Sequence, residues 1–104
     1  MMLVPYLLLG AVLFSLGLIG FVTRRNLIIM FLCTEMMFQG IIVNLVALGR
    51  YPLHGQPTLD GQVFALFLIA VAAAEAALGL ALVVLLYRYR GTLDAGAWSA
   101  LKDE

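Results

Sequence analysis

Two carboxylates stand forty residues apart, each alone inside a long apolar run: Glu35 within Leu27–Leu48 and Glu75 within Gly61–Tyr87. Either run, as a helix of about 20 residues, is long enough to cross the ~30 Å hydrocarbon core of a bilayer. A carboxylate at that depth costs at least ~2.5–3.5 kcal/mol on insertion scales, so its default reading is functional. The chemistry such a group offers is proton carriage. Loss of solvation disfavours the charged form of any carboxyl group, and a neighbouring carboxylate disfavours it further. Two such acids on adjacent helices can hand a proton across directly or through water. Counted along the helices, Glu35 lies roughly 12 Å from the boundary at Leu27 and Glu75 roughly 18 Å from the boundary at Tyr87, an expected offset of ~6 Å. Gln39, one turn beyond Glu35, is the candidate to extend a hydrogen-bonded path.

The bland alternative is that each glutamate is protonated and merely holds a neighbouring helix. Such intramembrane contacts are often worth under ~1 kcal/mol, which is little reason to keep two carboxylates in lipid. For Gln39 the same bland role, interhelical glue, weighs as much as relay support. Cys33 is the one cysteine. It can close no internal disulfide, and a lone thiol supplies neither an iron–sulfur nor a zinc site, so it reads as packing. Met30, Met36 and Met37 read as adaptable filler, and His54 as a solvated side chain in a polar stretch. No catalytic residue, no metal site and no bound cofactor is expected in this chain.

Three elements must position the acids. Of 104 residues, 64% are hydrophobic and 12% charged, with a mean hydropathy of +1.09. That composition belongs to an all-α integral membrane protein, and zero net charge offers nothing to nucleic acid. Spans are expected over about 3–22, 27–48 and 62–87, making residues 1–90 one membrane domain. Only Thr23–Asn26 joins the first two spans, which form a tight hairpin, and the proline- and glycine-bearing stretch 49–61 joins the last two. Arg24, Arg25, Arg88, Arg90 and Lys102 fall on one side of such a bundle and Arg50 on the other. The positive-inside rule then puts the Arg24–Arg25 loop and the C-terminus in the cytoplasm and the N-terminus outside, as in a multi-pass protein of a bacterial cytoplasmic membrane. In the tail, 91–104, Leu93, Ala97, Trp98 and Leu101 recur at helical spacing, which suits an amphipathic helix on the membrane or a partner; Gly91 and Gly96 favour disorder instead. Small residues, Gly10, Gly17 and Gly20 in the first span and Ala72–Ala77 around Glu75, suit close packing among more helices than three.

Taken together, Arg24-Arg25-Asn26-Leu27, Glu35-Met36, Asp60-Gly61-Gln62 and Ala72-Ala73-Ala74-Glu75-Ala76-Ala77-Leu78-Gly79-Leu80 resemble subunit K of proton-pumping NADH:quinone oxidoreductase, respiratory complex I. The same family includes mitochondrial NADH dehydrogenase subunit 4L. The resemblance implies a three-helix, non-redox subunit of the membrane arm, packed beside the A, J and N subunits. It assigns Glu35 and Glu75 to the proton path and Arg24 and Arg25 to the cytoplasmic loop. It leaves NADH, FMN, iron–sulfur clusters and quinone to the rest of the complex. The sequence departs from the family where asparagines are common, four and seven residues past the first glutamate, and has Gln39 and Ile42 there. The small subunit of multisubunit cation/proton antiporters is a rival, but it usually lacks a glutamate in an alanine-rich third span. Small multidrug transporters carry four spans with the glutamate in the first. A membrane-bound hydrogenase or a ferredoxin-accepting relative of complex I shares this subunit and stays open at this point.

Overall fold

The computed structural model describes residues 2–90. They form three helices, α1 (Leu3–Thr23), α2 (Leu27–Arg50) and α3 (Asp60–Arg90). The expected all-α architecture is present, and each helix is long and apolar enough to cross a membrane. Lipid supplies no hydrogen-bonding partners, so a spanning segment satisfies its backbone internally, and these apolar runs do so as unbroken helices. The amphipathic reading of 91–104 falls outside the described residues.

Local chemistry sets the ends. Pro5 sits in the first turn of α1, where its absent N–H leaves no bond unmade. At the other end Arg24 is extended (φ −102°, ψ 149°) and its N–H donates to the Gly20 carbonyl at 3.1 Å. Asn26 then starts α2: its side-chain oxygen accepts from the N–H groups of Ile28 (2.9 Å) and Ile29 (3.3 Å). Such a cap is typically worth ~1 kcal/mol. α2 stops where Pro52 follows Tyr51, whose N–H closes the last turn on the Ala47 carbonyl at 2.8 Å. Gly55, at φ +81°, turns the 51–59 connection back. That conformation suits glycine. Asp60 opens α3 with an acidic side chain at the positive end of the helix dipole.

α2 is the middle helix, with α1 packed on one side and α3 on the other. In lipid, helices associate by close packing rather than by hydrophobic force, and small residues allow the approach. Against α1 the approach is backbone to backbone. A Cβ built on Gly40 would stand 2.5 Å from the Gly10 carbonyl oxygen, and one on Gly17 would stand 2.6 Å from the Cys33 carbonyl oxygen. Against α3, the residues of α2 that are covered recur as Phe31, Glu35, Phe38, Ile42, Leu45 and Gly49, a 4-3-4-3-4 seam. The covered residues facing them on α3 include Ala65 and Ala72, only 1% and 3% exposed. Most large apolar side chains point outward, Leu66, Phe67 and Leu85 among them.

Candidate functional site

The register of α2 against α3 decides how the two glutamates stand to each other. Near one end Gly49 meets Gly61, where a Cβ on Gly49 would lie 3.0 Å from the Gly61 Cα. Eighteen residues earlier on α2 and eighteen later on α3, the ring of Phe31 lies against Gly79. In an antiparallel pair with that register, Glu35, four residues past Phe31, stands level with Glu75, four residues before Gly79. The ~6 Å offset expected from counting inward is therefore corrected. Counting took Leu27 and Tyr87 to sit at one boundary. In the structure Ile28 shares a depression with Val83, Val84, Tyr87 and Arg88, so α3 runs on past the start of α2. That overhang is what the counting mistook for depth.

The acids differ in surroundings. Glu35 belongs to the α2 seam that faces α3 and is half-buried. The covered line on α3 passes through Ala72, Ala76 and Gly79, and Glu75 stands beside it, exposed. Ala76 takes the covered place between Ala72 and Gly79, and Glu75 flanks the seam. Ala73, Ala74 and Ala77, also exposed, leave the space around the Glu75 carboxyl free of bulk. Gln39 is exposed on α2. Among the described residues, Glu35, Gln39 and Glu75 make no hydrogen bond or ion pair within the chain. Their carboxyl and amide groups thus remain available to another chain or to water.

Arg24 and Arg25 are exposed in the short connection between α1 and α2. Arg88 stands at the same end, beside Ile28, and Arg50 closes α2 at the opposite end. Cys33 faces Gly20 across the α1–α2 contact, and the hydroxyl of Thr34 donates to the Met30 carbonyl at 3.0 Å. Asn44 has its side-chain oxygen buried against Gly10 with no partner among the described residues. No sequence pattern marks it, because its contact depends on where a glycine in another helix falls. No three His, Cys, Asp or Glu side chains converge to hold a metal ion among the described residues.

Residues 5–103 match the family model described as NADH-ubiquinone/plastoquinone oxidoreductase chain 4L. A protein of Geobacillus sp. (strain WCH70) named NADH-quinone oxidoreductase subunit K is 46% identical over 97 residues, covering 93% of this chain and 91% of that one. A protein of the same name from Akkermansia muciniphila is 46% identical over 99 residues, 94% of each chain. Another from Alkalilimnicola ehrlichii is 45% identical over 101 residues, 96% of each. The resemblance read from the two glutamate motifs is thereby borne out, and the chain belongs to the NADH-quinone oxidoreductase chain 4L family.

Proposed function

We propose that this chain is a membrane-arm subunit of a proton-translocating NADH:quinone oxidoreductase, and that Glu35 and Glu75 carry protons along the plane of the membrane. The observation that carries the reading is the level register of two intramembrane acids, one turned into the α2–α3 seam and one turned out. A relay that crosses from one neighbouring subunit to another has use for both orientations. Glu35 receives or releases a proton at the seam, Glu75 offers the next step to whatever helix covers it, and Gln39 extends the hydrogen-bonded path. An exposed carboxylate at this depth is costly against lipid, which favours a protein neighbour on that face; subunits of the A, J and N types are the proposed ones. The chain supplies no redox centre in this scheme. Its lone cysteine and lone histidine are an unsuitable donor set for an iron–sulfur cluster. NADH, FMN, the clusters and quinone are handled elsewhere in the complex.

The test is proton uptake in inverted vesicles, normalised to assembled complex. Glu75→Gln keeps shape while removing the exchangeable acid, and pumping is expected to fall severalfold, less than for the same change at Glu35. Undiminished pumping at equal assembly would reduce Glu75 to helix–helix glue.

The proposed orientation places the N-terminus outside and the Arg24–Arg25 end in the cytoplasm, on the five-to-one distribution of cations. In a Cys33→Ala background, His54→Cys should react with an impermeant thiol reagent added from the outside, and Ser99→Cys only after the cytoplasmic side is opened. The reverse pattern overturns the orientation and leaves the level register of the acids untouched.

A further inference from the structure

A groove of about 400 Å³ opens between the start of α1 and the end of α2. Its walls are apolar, with Leu9, Ile42 and Val46 along them, and Tyr6, Arg50 and Tyr51 stand where the helices end. The rings of Tyr6 and Tyr51 stack, centroids 6.1 Å apart and planes 12° apart. The Arg50 guanidinium lies over the Tyr51 ring, 5.6 Å from its centroid. Arg50 forms no ion pair among the described residues. We propose that this groove is a binding site for an anionic phospholipid, with the headgroup phosphate on Arg50 and one acyl chain lying along Leu9, Ile42 and Val46.

Three features argue for that occupant. Tyr6 is the fourth residue of α1 and Arg50 the last of α2, so the polar rim lies at helix ends, at the depth of lipid headgroups. Tyrosines are enriched at that level of a membrane. Next, an apolar groove in lipid does not by itself choose among occupants, since acyl chains are as apolar as the groove. The choice falls to the charged group at the rim. A guanidinium presents a planar fork of donors that matches phosphate oxygens, and the Tyr51 ring holds it in place by cation–π attraction. Finally, Arg24, Arg25 and Arg88 all lie at the far end, so Arg50 is the arginine available to a headgroup here. The proposal rests on the membrane embedding of the chain and is independent of the proton path.

The experiment uses the assembled complex in phosphatidylcholine vesicles containing a trace of photoactivatable lipid, with a diazirine on one acyl chain. Phosphatidylglycerol carrying the diazirine should label peptides covering residues 6–9 and 42–51 about fivefold more than the phosphatidylcholine analogue, the worth of one cation beside anionic lipid. Arg50→Gln should erase the preference, and Arg50→Lys, which keeps the charge without the planar fork, should keep only part of it. Val46→Trp, which fills the groove at a position already 38% exposed, should lower labelling by both lipids. Equal labelling by the two lipids in the unaltered complex overturns the proposal, as does a preference that survives Arg50→Gln. So does a photoreactive residue at Val46 that couples to another subunit and not to lipid, since a protein helix then fills the groove.

Discussion

Replacing Glu35 by glutamine should leave the complex assembled and cut quinone-linked proton pumping by about a hundredfold, the lower end of what a positioned acid–base group contributes. The amide retains size and some hydrogen bonding, so a packing role for Glu35 is preserved while the acid is lost. Geometry then separates relay from accident. In Glu35→Gln with Gln39→Glu the carboxyl moves ~6 Å along the axis and only ~40° around it. Gln39 is exposed on α2, so an acid there meets no obstacle within the chain. Part of the pumping should return. In Glu35→Gln with Met36→Glu the acid moves only ~1.5 Å along the axis but turns ~100° away from the seam. Met36 is 38% exposed, which makes the change tolerable for packing, yet no pumping should return. Met37 is unsuited to this comparison because it packs against Gly17. Proton uptake in inverted vesicles, per assembled complex, reads all three. Full pumping in Glu35→Gln alone would sink the relay.

Gly40→Leu should all but abolish assembled complex, whereas Gly79→Ala should leave it near normal. Both glycines lie on packed faces, but what they face differs. A side chain at Gly40 enters the backbone of α1, 2.5 Å from the Gly10 carbonyl oxygen and 3.0 Å from the Phe14 nitrogen. Nothing there can rotate aside, so α1 and α2 must part along the contact that joins them. Overpacking in a well-fitted interior typically costs ~1–3 kcal/mol, and a rigid backbone obstacle belongs at the upper end. A loss of even ~1–2 kcal/mol changes cellular abundance several-fold. At Gly79 the nearest atoms to the added methyl all belong to the ring of Phe31, a side chain that can turn. Immunoblots of native gels, read for the intact complex, distinguish the two. Equal loss in both variants would mean that α3 is held as rigidly as α1.

Much of this arrangement is legible in the chain. Three long apolar runs, a short hairpin connection and cations gathered at one end follow from residue types and spacing. Glu35 and Glu75 stand out because lipid tolerates so few charges. What stays hidden depends on neighbours in space. The overhang of α3 cannot be read from Tyr87, since an apolar run carries no mark for where a partner helix begins. The side position of Glu75 is a matter of some 40–60° around the helix, and Ala72–Ala77 is too uniform to show which alanines face inward. The central place of α2 depends on Gly40 meeting α1 on one face while Phe31 and Gly49 meet α3 on the other. Asn26 does announce itself, as an asparagine directly before an apolar run. The rim of the groove does not, because Tyr6 and Tyr51 meet only once α1 and α2 have folded against each other.

The backbone contact of Gly49 with Gly61 makes the α2–α3 pair a calliper. The jaws meet backbone to backbone at that end, the Phe31 ring against Gly79 spaces the other, and the two glutamates lie fourteen residues up each arm. That arm is ~21 Å long, so a tilt of ~5° between the helices changes the gap between the acids by ~2 Å. A change of that size is about the difference between a direct hydrogen bond and one bridged by a water. A partner pressing on the exposed flank of α3 would therefore need only a slight angular displacement to change the gap between the two acids by about the width of a water.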